Sequence, residues 1–197
     1  HGVFGFLSIK RQNNELSIKL NNAGDVSYPR LFEILSLNKL KSIIANVPLT
    51  YPVDEITGLK NITIISDWAS PKQFIYPSSI ENRYKDFLMD PPHKWYQFAN
   101  TNEYISIVYD FLISRLQIYC DIIDREDASL FIVIFSELDW LMHKLPNLVL
   151  GQNVSSVSKI VQAIDKFIGM VLDRYDLVVI ASDHGFHIAN KTFGVNS

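Results

Sequence analysis

Residues 130–145 read LFIVIFSELDWLMHKL, and the two halves of that stretch decide the fold class between them. The first half, LFIVI, is apolar without alternation, the pattern of a strand covered on both faces. The second half sets Glu137, Asp139 and His143 on what reads as the first turns of a helix. Asp139 and His143 are four apart, so they share one helical face. A strand running into such a helix is the junction at which an open parallel sheet binds ligands, beyond the carboxyl ends of its strands. Residues 177–187, LVVIASDHGFH, repeat the order of an apolar run, an acid and a histidine. There Asp183 and His184 are adjacent, which suits a sharp strand-to-loop turn, and Gly185 supplies the backbone freedom of that turn.

Working outward, four apolar runs are expected to be parallel strands: residues 41–47 (KSIIANV), 61–67 (NITIISD), 129–135 (SLFIVIF) and 176–182 (DLVVIAS). Helical spacing appears between them. Residues 28–40 place Leu31, Ile34, Leu35 and Leu37 near one face, behind a Pro29 suited to a first turn. Residues 102–123 align Ile105, Tyr109, Leu112, Leu116 and Cys120, and residues 155–175 align Ile160, Ile164, Ile168 and Val171. Helices alternating with apolar strands predict an α/β fold with a mainly parallel sheet. Residues 6–24 (FLSIKRQNNELSIKLNNAG) look like a polar hairpin or excursion turning at QNN. Residues 68–100, rich in Pro, Ser and aromatic residues, form an irregular insertion of the kind that often carries function. Its Trp68, Tyr76, Trp95 and Tyr96 are candidates for a lid or a substrate-selecting wall.

The composition narrows the class. With 48% hydrophobic residues, the 197-residue chain can bury a core of domain size. A net charge of −3 and a pI near 5.9, with no basic stripe, argue against a nucleic-acid scaffold. No window holds the ~18 apolar residues of a membrane span. The single cysteine, Cys120, excludes an internal disulfide and favours a cytoplasmic location. The chain opens on His1 rather than methionine and stops at KTFGVNS, so we read residues 1–197 as one incomplete domain.

Carboxylate with imidazole is a donor set for zinc, manganese or iron and a poor one for calcium. Two such pairs at neighbouring strand ends suit two ions about 4 Å apart, the spacing used for in-line displacement at phosphorus. Only five histidines are present, and His143, His184 and His187 all fall in these two stretches.

ASDHG after LVVI and SELDWLMH after FIVI resemble the alkaline phosphatase superfamily, in its type I phosphodiesterase/nucleotide pyrophosphatase branch. HGVFGF at the start resembles the segment that follows the nucleophile helix of that branch. IIANVPLTYPV (43–53) resembles its strand and loop, YPRLFEIL resembles the helix ahead of it, and the pattern points especially to archaeal and bacterial members. The resemblance implies a three-layer α/β/α sandwich with an alkaline-phosphatase-like core. It implies one metal ion held by Asp139 and His143 and a second held by Asp183 and His184, with zinc preferred over manganese. It further implies a threonine or serine nucleophile, another aspartate and a third histidine, none of which has a match here. We expect them outside this chain. Thr50, Ser136 and Ser182 read as structural. Phe6 stands about where nucleotide pyrophosphatases place a phosphate-binding asparagine. Glu137, Asn46 and His187 are expected to support or line the pocket. The expected function is metal-dependent hydrolysis of a small-molecule phosphate ester. Sister activities (phosphomutase, sulfatase, phosphonate hydrolase) and a non-catalytic binding domain are the alternatives, and the sequence leaves the oligomeric state open.

Overall fold

The structure, a computed structural model, describes residues 5–12, 15–53 and 60–188. In chain order its elements are strands β1 (Leu7–Gln12) and β2 (Glu15–Leu20), helix α1 (Leu31–Leu37), strands β3 (Ser42–Ala45), β4 (Ile62–Ile65) and β5 (Ile75–Tyr76), and helices α2 (Ser78–Glu81) and α3 (Thr101–Arg125). Strand β6 (Leu130–Val133) and helices α4 (Glu137–Lys144) and α5 (Val154–Leu172) complete the order. The chain divides into two compact units, one of residues 1–91 and 117–135, the other of residues 92–116 and 136–197.

The first unit holds a four-stranded sheet in the order β5-β4-β3-β6. β3 is parallel to both β4 and β6, while the two-residue β5 adds an antiparallel edge. Three of the four expected strands are therefore present, and the protein is a mixed α/β fold with a mostly parallel sheet. Ile43, Ile44, Ile64 and Ile65 are fully buried, each contributing about 1.5–3 kcal/mol of apolar burial as an upper figure. Register puts Ile44, Ile64 and Ile132 on one face, where they join Ile62, Leu130 and Phe32 of α1 in a single cluster. Phe131 points to the other face and meets Tyr119 of α3, ring centroids 6.2 Å apart. This unit is thus layered as helix, sheet, helix.

Two expectations change at this level. In α1 the buried residues are Phe32 and Ser36, whereas Leu31, Ile34 and Leu37 are exposed. Phe32 and Ser36 are also four apart, so helical spacing allows either face, and the contact with the sheet selects this one. The Ser36 hydroxyl is satisfied there by the Lys60 carbonyl. The N-terminal hairpin β1–β2 forms as expected, but it is amphipathic rather than polar. Pairing of Leu7 with Leu20 and Ile9 with Ile18 puts these residues and Leu16 on one exposed face. The expected turn at residues 12–14 lies partly outside the described residues.

The carboxyl ends of β3 and β4 are fastened to each other. Asn46 takes a left-handed backbone (φ 55°) that turns the chain out of the sheet. Its amide nitrogen donates to the Ile134 carbonyl at 2.6 Å, and its oxygen accepts from the Trp68 amide at 3.0 Å. One side chain so ties β3 to the ends of β4 and β6. Asp67 is buried beside it and accepts from the Ala69 amide and the Ser70 hydroxyl. Burial raises its carboxyl pKa in spite of those bonds.

The second unit carries the first part of α3 with α4 and α5. α5 buries Val157, Ile160, Ile164, Phe167 and Val171, a stripe at alternating spacings of three and four. Phe167 takes the place that helical spacing assigned to Ile168, one position along.

The fourth expected strand is not formed. Residues 177–182 belong to no ladder among the described residues, and Leu177, Val179 and Ile180 are 79%, 78% and 73% exposed. A strand's hydrogen bonds all go to a neighbour, so an apolar run without one has no reason to hold strand geometry.

Candidate functional site

α4 begins one residue after Ser136, with Glu137 and Asp139 in its first turn, where the helix dipole favours acids, and His143 in its last, where it favours cations. Trp140 and Leu141 are buried and hold the helix down. Trp140 meets the ring of Phe111 on α3 at 5.7 Å. That anchoring leaves Asp139 and His143 together on the half-exposed side, with Asp139 Oδ1 3.7 Å from His143 Nε2.

The 183–184 pair lies in the same unit, on irregular chain. His184 Nε2 is 3.9 Å from Asp139 Oδ1 and 3.7 Å from Asp183 Oδ2. The Ser182 hydroxyl donates to the His184 carbonyl at 2.6 Å, and His184 Nδ1 lies 3.2 Å from the Gly185 carbonyl. With its proton on Nδ1, His184 keeps Nε2 as a lone-pair donor facing both acids. Asp139 is thus the residue at which the two stretches meet. Among the described residues, no group of three or more His, Cys, Asp or Glu side chains is gathered closely enough to enclose a metal ion.

Aromatic rings border the cluster. Trp95 lies parallel to the His143 imidazole, 2° between planes and 5.7 Å between centroids. Phe186 presents its edge to His143 at 5.1 Å and to His184 at 5.4 Å. Of the aromatics expected to form a wall, Trp95 therefore stands at the cluster, while the exposed Tyr96 meets the Trp95 ring at 5.7 Å. Trp68 instead packs edge-on against Phe6, and Tyr76 packs against the core of the first unit.

Glu137 is fully buried, and burial pushes its carboxyl up to about 7, with the nearby Arg115 guanidinium pulling the other way. Its Oε2 is buried without a hydrogen-bond partner. It is no solvated cap. Arg115 is itself buried, its guanidinium 5.2 Å over the Phe111 ring. Sequence reasoning missed it, although the signal was present: position 115 is four beyond Phe111, on the apolar face of α3, where a charge is out of place. Tyr104 hydrogen-bonds the Pro92 carbonyl at 3.0 Å, and its pKa is raised first by burial and then by the charge of Asp139. Asn46 belongs to the first unit, where both ends of its amide bond backbone groups of that same unit, so it acts as a strand tie. His187 is exposed on the loop that carries Asp183 and His184.

Asp139, at the start of α4, thus faces His143 on its own helix and His184 on a loop. The sequence model of the type I phosphodiesterase / nucleotide pyrophosphatase family matches residues 1–197. The chain belongs to this family. No curated protein and no solved structure matches it significantly. Membership in the type I phosphodiesterase/nucleotide pyrophosphatase family makes the chain one of a group of phosphodiesterase- and pyrophosphatase-type hydrolases, generally metal-dependent, that act on small-molecule phosphate esters. Its mixed α/β architecture with a mostly parallel sheet accords with an alkaline-phosphatase-like fold. Among the described residues no helix is long and apolar enough to cross a membrane.

Proposed function

We propose that the protein is a phosphodiesterase that uses two divalent metal ions, zinc before manganese, held in part by Asp139 with His143 and by Asp183 with His184. The observation that carries this reading is Asp139 Oδ1 facing the Nε2 atoms of both histidines at 3.7 and 3.9 Å in a chain of this family. Two ligands of one tetrahedral zinc stand roughly 3.4 Å apart, so the Asp139–His143 pair needs little movement to close on an ion. The donor chemistry also fits: carboxylate and imidazole together suit zinc or manganese.

Divalent ions bound there supply positive charge to the phosphate's non-bridging oxygens and to the reacting oxygens. The protein's part is to hold the donors in position. α4 fixes Asp139 and His143 one turn apart, and the Gly185 carbonyl orients the His184 ring. Attack on phosphorus comes, in this proposal, from a threonine or serine outside these 197 residues. That attack breaks one ester P–O bond and releases its alcohol, leaving a covalent phospho-enzyme; water then breaks the enzyme's own O–P bond, freeing the phosphate monoester and restoring the hydroxyl. The two compact units are taken as parts of one hydrolase domain, since a single family match runs through both. Glu137, buried in the first turn of α4, supports the helix rather than the substrate, and His187 is a candidate pocket residue. A cytoplasmic location belongs to the same proposal, supported by the single cysteine.

The test is to compare turnover of a nitrophenyl phosphodiester, monoester and sulfate, with zinc or manganese added, in the intact parent protein that contains the proposed nucleophile. Diester hydrolysis that chelation removes and zinc restores is the expected result. A preference for monoester or sulfate moves the function to a sister activity. No turnover of any ester, with no bound metal, leaves a binding domain.

A further inference from the structure

From the stacked contact between Trp95 and His143 we propose that Trp95 is a positioning residue. It sets the plane of the His143 imidazole so that the ring meets a divalent cation without a search through its rotamers. This inference rests on the metal-binding reading of Asp139 and His143.

Three observations carry it. The rings are parallel to within 2° at a centroid separation of 5.7 Å, inside the range of offset stacking. Phe186 closes the arrangement by setting its edge against His143 at 5.1 Å. The imidazole is thus bracketed by one ring face and one ring edge, although its side chain is 49% exposed. Nor is the turn that carries Trp95 loose. The Pro92 carbonyl ahead of it accepts from the Tyr104 hydroxyl, and the Phe98 carbonyl behind it accepts from Lys144 Nζ, the residue next to His143. Phe98 also packs against the Tyr104 ring at 4.9 Å. Both ends of the 95–97 turn are therefore fastened to the helices that frame the cluster, α3 and α4.

An exposed histidine without such a bracket samples several rotamers, and a ligand that has to be ordered on binding binds more weakly. Outer partners that orient a metal-binding histidine typically change metal affinity 10–100-fold when removed. A flat ring is the part that matters here, because a branched aliphatic side chain fills similar space without defining a plane.

The experiment titrates the full chain with zinc alone, read by calorimetry and by tryptophan fluorescence, in the parent and in Trp95→Leu, Trp95→Phe and His143→Ala. The expected result is roughly tenfold weaker zinc binding in Trp95→Leu, with affinity restored to within a few-fold in Trp95→Phe. The parent's zinc-induced change in emission is expected to vanish in both Trp95 variants and in His143→Ala. The parent's emission change needs no substitution to be seen, so it tests the contact even if Trp95→Leu folds poorly. Equal zinc affinity in the parent and Trp95→Leu, or an emission change that survives removal of Trp95, overturns the positioning role and leaves the metal reading standing. A parent that binds no zinc overturns both.

Discussion

Residues 130–144 and 177–188 have the same order of residue types, an apolar run followed by an acid and a histidine. The first run is strand β6, laddered to β3, and α4 follows after three intervening residues, anchored by Trp140 and Leu141. In the second, Leu177, Val179 and Ile180 are exposed, and the acid–histidine pair sits on irregular chain. The difference lies in where hydrogen bonds can go. A helix satisfies its backbone within itself, whereas a strand does so only against a neighbour. The first stretch therefore brings a rigid carrier for its acid and histidine. The second depends on the small contacts of Ser182, Gly185 and Phe186 to hold His184.

The largest effect breaks the comparison if it is unequal. Asp139→Ala and Asp183→Ala are each expected to lower diester kcat/KM by ~10³-fold or more, about 4 kcal/mol of transition-state stabilisation. Loss from Asp139→Ala alone would show that only the helical pair is used. Next is stability. Trp140→Ala removes a buried ring packed on Phe111, with an expected loss of about 3–5 kcal/mol in denaturant unfolding.

A smaller effect is pH-dependent and belongs to the helical stretch. In metal-free protein, the folded pKa of Glu137 is pushed up to about 7, above its ordinary value of 4.5. Between those values the folded state holds a proton that the unfolded chain has released. Stability is then largest below 4.5 and falls as pH rises towards 7, by on the order of 3 kcal/mol in all. Chelator-treated Glu137→Gln is expected to lack that decline in unfolding experiments across the same range. The smallest effect sharpens the contrast from the other side. Leu177→Ala, at an exposed site without a ladder, is expected to change stability by no more than about 0.5 kcal/mol.

Legibility followed the same division. β3, β4 and β6 were readable as strands from their apolar runs; the burial on both faces that such runs signal is met by the inner β3 and β4, whereas β6, at the sheet edge, is half-buried. Asp139 and His143 were readable because four-residue spacing is a local property of a helix. Residues 177–182 misled, since their strand status depends on a partner edge that composition does not reveal. The buried face of α1 depended likewise on the sheet's position, which selected Phe32 and Ser36 over Leu31 and Ile34. Glu137 could be placed at the site from its position, but its burial against Arg115 required two residues 22 positions apart to be brought together.

The most direct test of the two-ion account is an anomalous-diffraction map of crystals of the protein soaked in zinc. The account predicts one peak bound by Asp139 and His143 and a second bound by Asp183 and His184. Zinc density that touches neither pair, or no ordered zinc at all in protein that is otherwise intact, would contradict it.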